Sequence, residues 1–130
     1  MITQFHDIAG KGETHKPSPP PIALVMVKNK LRIVIFNRIE WTTFNAGECD
    51  IEVGKWYEFL WHIKWSMGED CFVEVFSNGE NITNGKYYTP TLFHFTGNTV
   101  KFSIYNNETV TYCSKFAIGN TPKEVNSEYM

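Results

Sequence analysis

The stretch Lys55-Trp56-Tyr57-Glu58-Phe59-Leu60-Trp61-His62-Ile63-Lys64-Trp65-Ser66 constrains the fold more than any other part of the chain. Taken in steps of two, it separates into Tyr57, Phe59, Trp61, Ile63 and Trp65 on one side and Glu58, Leu60, His62, Lys64 and Ser66 on the other. That period is a strand's, because successive Cβ atoms point to opposite faces. Five large apolar side chains on one face must lie against a core. The second face holds an imidazole and an ammonium, which prefer water or a polar ligand. A sheet with one dry face and one wet face follows.

Other segments read the same way. Ile2 to Asp7 is a strand with Gln4 and His6 on one face and Thr3 and Phe5 on the other. Gly10 to Pro21, with two glycines and four prolines, is a surface loop. Ala23 to Val27 and Leu31 to Ile35 form a hairpin around Lys28-Asn29-Lys30, with Leu31, Ile33 and Ile35 inward and Arg32, Val34, Phe36 and Arg38 on the second face. Asn45 to Gly54 reads as a polar connection. Cys71 to Ser77 is the return strand of the central one, closed by the hairpin signal Asn78-Gly79. Val100 to Tyr105 places Lys101, Ser103 and Tyr105 on one face, and Thr111 to Ile118 is the last strand.

No segment has helical periodicity, and turn signals recur at roughly the 8 to 12 residue spacing of a sandwich. The expected fold is all-β, an antiparallel β-sandwich over residues 1–119 with a polar tail over 120–130. Aromatic residues at 15% suit strands, and 42% hydrophobic content excludes disorder. A net charge of -2 removes the electrostatic reason to expect a nucleic-acid partner. No apolar run approaches the roughly 18 residues of a membrane span, and no signal peptide is read at the start. Cys49, Cys71 and Cys113 form no CxxC pair and the four histidines no close cluster, so no metal site is expected. Buried free thiols are the first reading of these cysteines, and one disulfide with a leftover thiol the second.

An open sheet face carrying Gln4, His6, Arg32, His62, Lys64, Lys101 and Tyr105 would be a polar groove edged with aromatic residues. Such a groove suits an extended polymer bearing hydroxyls and carboxylates. Trp41 and Trp56 are the better sugar-stacking candidates, because Trp61 and Trp65 share the apolar face.

Gln4-Phe5-His6, Gly54-Lys55-Trp56-Tyr57 running to Trp65-Ser66, Ser77-Asn78-Gly79 and Lys101-Phe102-Ser103-Ile104-Tyr105 occur in an order that resembles the jelly-roll polysaccharide lyases. These are the concanavalin-like sandwiches of the alginate, glucuronan and heparin lyase I kind. The resemblance implies cleavage of an anionic uronic-acid polysaccharide by β-elimination, with no cofactor or metal. It makes Tyr105 the acid and a candidate base, and gives Gln4 and His6 the carboxylate to neutralise, His6 being a second candidate base. Lys101, His62, Lys64 and Arg32 would meet the polymer.

The chain departs from the family in Phe5, where Trp is common, and in Ser103, where Gly is common. It also lacks the strands that precede Gln-x-His in the family. A shortened sandwich is therefore expected, completed by another chain or a missing segment. A non-catalytic carbohydrate-binding or structural module, lectin-like and on an extracellular or virion surface, is the alternative reading. A glycoside hydrolase using Glu58 and Glu74 is a weaker third.

Overall fold

A computed structural model describes residues 3–7, 19–38, 40–92, 98–102 and 112–126. Along the chain run β1 (Thr3–Asp7), β2 (Ile22–Val27), β3 (Lys30–Asn37), β4 (Thr42–Asp50), β5 (Phe59–Lys64), β6 (Phe72–Ser77), β7 (Glu80–Asn81), β8 (Tyr87–Tyr88) and β9 (Asn98–Phe102), followed by a single helical turn, α1 (Pro122–Val125). The strands build two antiparallel sheets. One has the order β4-β3-β2-β1-β9, and in the other β6 lies between β5 on one side and β7 and β8 on the other. The expected all-β sandwich is what forms.

Local chemistry explains the hairpins. Lys28 turns the chain from β2 to β3 with a φ of 56°, and Val27 pairs with Lys30 across it. Asn78 and Gly79 both have positive φ, 49° and 83°, as a two-residue turn matched to strand twist requires. Asn and Gly are the residues that adopt this conformation at least cost.

The sheets bury their apolar faces against each other. Phe5, Ile22, Leu24, Leu31, Ile33 and Ile35 from the larger sheet meet Val73 and Val75 from the smaller, with Phe59, Trp61 and Ile63 packed at the margin. Ile22, Ile33, Ile35, Val73 and Val75 are fully buried, each contributing about 1.5–3 kcal/mol of hydrophobic stabilisation. Phe5 bridges the sheets, its ring centroid 5.1 Å from that of Trp61 and 5.4 Å from that of Trp65. The inward set Leu31, Ile33 and Ile35 is as the sequence predicts. All three cysteines are free.

Two segments differ from their sequence reading. Asn45 to Asp50 is the second half of β4, paired with β3, rather than a connection. Ile33 pairs with Gly47 and Val34 with Asn45, so Ala46 is an extra residue, a β-bulge. The bulge breaks the alternation that marks a strand in sequence, which is why this half of β4 is hidden there. Residues 112–118 belong to no strand. They carry Tyr112, Phe116 and Ile118 exposed, and β-rich composition makes a strand only where a neighbouring edge accepts its backbone. In the tail, Asn126 Nδ2 donates to Glu58 Oε1 at 3.2 Å.

The bulge is held against the second sheet. A Cβ built on Gly47 would lie 2.0 Å from the backbone oxygen of Ile82. Gly47→Ala should therefore lower the stability read from urea melts by about 1–3 kcal/mol, the usual cost of overpacking. An unchanged midpoint would mean that β4 and the Ile82 turn do not approach this closely in solution.

Candidate functional site

Because Phe5 is turned inward, the alternation of β1 turns Gln4 to the outer face of the five-stranded sheet. Gln4 stands opposite Lys101 of β9 on one side and Ala23 of β2 on the other, and His6 stands opposite Thr99. Val100, which follows Thr99 in β9, packs on the core. The row through Gln4 continues over Val34 to Asn45. Gln4 is only 5% exposed and Ala23 3%, so the centre of this face is recessed rather than fully open. An amide shielded from water makes stronger hydrogen bonds than an exposed one. Tyr105 and Ser103 lie outside the described residues.

Arg32 belongs to the same outer face, opposite Val25 and Glu48. Its Nε donates to Glu48 Oε2 at 2.8 Å. Lys30 Nζ donates to Glu48 Oε1 at 3.3 Å and pairs with Asp50 at 3.4 Å, while Asn45 Nδ2 donates to Glu48 Oε2 at 3.3 Å. Asn45 and Glu48, three residues apart, would face opposite sides in a regular strand. The bulge at Ala46 brings them onto one face. The hydrogen bond from Arg32, and next that from Lys30, holds the Glu48 carboxyl below the usual glutamate range. Glu48 in turn holds the Lys30 ammonium above its usual range, with Asp50 assisting.

His62 and Lys64 lie elsewhere. Trp61 and Ile63 pack on the core, so the intervening residues of β5 face outward from the smaller sheet, on the opposite side of the sandwich from Gln4 and Arg32. The single groove expected to join all seven residues does not form. The reason is that Phe5 and Trp61 meet across the core, which sends the wet faces of their strands in opposite directions. His62 Nδ1 donates to Glu74 Oε1 at 3.1 Å, and its ring stands edge-on to Phe72, 5.0 Å away. Lys64 pairs with Asp70, raising the lysine and lowering the aspartate from their ordinary values, chiefly through the hydrogen bond between them. Glu58 and Glu74 share this far face but stand four residues apart along adjacent strands, about 14 Å. The Glu74 carboxylate is held by His62 and Asn81 and the Glu58 carboxylate accepts from Asn126, so the two are engaged in separate networks, which does not support the hydrolase reading.

Of the stacking candidates, Trp41 is 55% exposed, with its ring edge-on to buried Phe36 at 5.2 Å. Phe36 extends the outer face of the larger sheet, its amide donating to Pro21 O, beside the end of β1. Trp56 is 68% exposed in the chain before β5. Glu48 and Asn45 were not read as site residues. The only signal for them in the sequence is the one-residue phase slip between Asn45 and Cys49.

A protein family described as "Polysaccharide lyase" matches the chain over residues 1–125. Searches of curated proteins and of solved structures find no match.

The Glu48 network makes a pH prediction. A depressed folded-state pKa contributes stability that is complete above the ordinary glutamate value and is lost as pH falls through the depressed one. In an NMR titration the Glu48 carboxyl should show a midpoint below that of an exposed glutamate, and Arg32→Ala should move it upward. A midpoint unmoved in Arg32→Ala would show that the pair is not formed in solution.

Proposed function

The chain belongs to the polysaccharide lyase family, and we propose that it binds and cleaves an anionic uronic-acid polysaccharide by β-elimination on the outer face of its five-stranded sheet. The observation that supports this most directly is the pairing of β1 with β9, which sets Gln4 opposite Lys101 and His6 opposite Thr99. Two positions of one family motif and one of another thus stand side by side on adjacent strands, although about a hundred residues separate them in sequence.

The chemistry needs three things. The C5 proton of a uronate is weakly acidic while its carboxylate stays charged, so a neutralising partner must come first. Gln4 and His6 serve this role, the Gln4 amide hydrogen-bonding the carboxylate from a shielded position. A base then takes the C5 proton, the C4–O bond breaks as the C4=C5 double bond forms, and an acid protonates the departing glycosidic oxygen. Tyr105 supplies the acid and, with His6 as the other candidate, the base. Lys101 meets the polymer's negative charge, and Trp41 offers an exposed ring for a sugar to stack on. Each step runs on side chains of the chain itself.

The same face would also serve a non-catalytic binding module, and one experiment separates the two readings. The protein is incubated with alginate, glucuronan and heparin-type polymers while the ultraviolet absorbance of the unsaturated uronate is followed. Absorbance should rise with one polymer. Tyr105→Phe should abolish the rise while leaving polymer binding and the melting temperature nearly unchanged, because a single hydroxyl is lost. Full activity in Tyr105→Phe would overturn the mechanism, and binding without any rise would make the chain a binding module.

A further inference from the structure

The Arg32 cluster is more elaborate than a surface ion pair requires. Four side chains converge on one outer face, Asn45 joining Lys30, Arg32 and Glu48 only because an extra residue in β4 shifts it into phase with Glu48. The bulge is fixed on its inner side, with Ala46 in the core and Gly47 against the Ile82 backbone. On its outer side Asn45 Oδ1 accepts from the Gly47 amide at 3.1 Å, which orients the Asn45 carboxamide while its Nδ2 reaches Glu48. Bulges of this kind re-aim side chains beside functional sites.

A guanidinium has two edges that can meet a planar acceptor. Arg32 uses Nε toward Glu48, and among the described residues no ion pair engages its Nη nitrogens. The side chain is 39% exposed, so it is reachable from solvent. Lys30 is shared between Glu48 and Asp50, and the four formal charges of the cluster cancel. A neutral cluster exerts little long-range pull on a polyanion. Its selectivity has to come from the orientation of the guanidinium.

We propose that the bulge at Ala46 completes a second carboxylate subsite, in which Asn45 steadies Glu48, and Glu48 holds Arg32 by its Nε edge and leaves the Nη edge to take a uronate carboxylate. Glu48 and Asn45 are positioning residues and Arg32 is the binding residue. The inference rests on the uronate-polymer reading above. Arg32 lies two strands from Gln4 and one row along the face, about 12 Å away by strand spacing and rise. One sugar cannot meet both residues, so the subsite acts on a sugar away from the bond that breaks and matters only for oligomers long enough to span the gap.

The test uses a sign. Glu48→Gln removes a negative charge from a surface that meets a polyanion, so electrostatics alone predicts tighter binding. Positioning predicts the opposite: binding of long polyuronate weakens roughly tenfold, the scale of one lost charge-assisted hydrogen bond. Binding of an oligomer too short to span from Gln4 to Arg32 stays the same. Arg32→Lys keeps the charge without the two-edged geometry and should weaken long-chain binding to a similar degree, so the proposal stays testable if Glu48→Gln fails to fold. Asp70→Asn, which removes one negative charge from the other side of the sandwich, is the control and should change nothing. A carboxyl-reduced polymer should not distinguish the variants from the unaltered protein. Binding by Glu48→Gln or Arg32→Lys as tight as that of the unaltered protein toward long polyuronate overturns the subsite. If the unaltered protein binds no polyuronate at all, the uronate reading itself is what fails.

Discussion

The ring of Phe5, set between Trp61 and Trp65, is the contact on which the rest of the arrangement depends. It joins β1 of one sheet to β5 of the other and commits each strand to a face. Since side chains alternate along a strand, an inward Phe5 leaves Gln4 no choice but the outer side. A slip of β1 by one residue would turn Phe5 out of the core and set the Gln4 amide among isoleucine side chains, which offer it no hydrogen bond. The packing of one aromatic ring therefore aims the neighbouring Gln4 amide at the opposite side of the sheet.

The same contact divides what one stretch of sequence joins. Trp61 faces the core from the opposite sheet, so His62 and Lys64 look away from the face that carries Gln4 and Arg32. On that far side His62 pairs with Glu74, and Lys64 with Asp70. The near side has a recessed amide in its middle and a cluster of paired charges toward one edge. Glu48 gathers Arg32 and Lys30 by direct register across β3 and β4, and Asn45 because β4 carries one residue more than its partner. The bulge also ties the site to the core, since Ala46 and Gly47 press inward at the point where Asn45 and Glu48 come into phase.

The strand periods of Leu31 to Ile35 and of Phe59 to Lys64 were readable because every second side chain, Leu31, Ile33 and Ile35 or Phe59, Trp61 and Ile63, is large and apolar. The Asn78-Gly79 turn was readable because few residues adopt its backbone angles cheaply. The second half of β4 was not, because a bulge destroys the period that would reveal it, and Asn45 and Glu48 therefore passed as parts of a loop. Residues 112–118 have strand-like composition but join no sheet, since pairing depends on a free edge and not on propensity alone.

The sequence by itself determined the class of the fold, the hairpins and the inward set Leu31, Ile33 and Ile35, because each rests on local geometry or residue identity. Only the tertiary structure decided which polar residues share a face. Strand alternation says that Gln4 and His62 both point away from a core, but not that they point away from it in opposite directions. That follows from how two sheets pack, with Phe5 and Trp61 meeting across the interior. Likewise, the convergence of Asn45, Glu48 and Arg32 required a register between two strands, a long-range property that no short window of sequence contains.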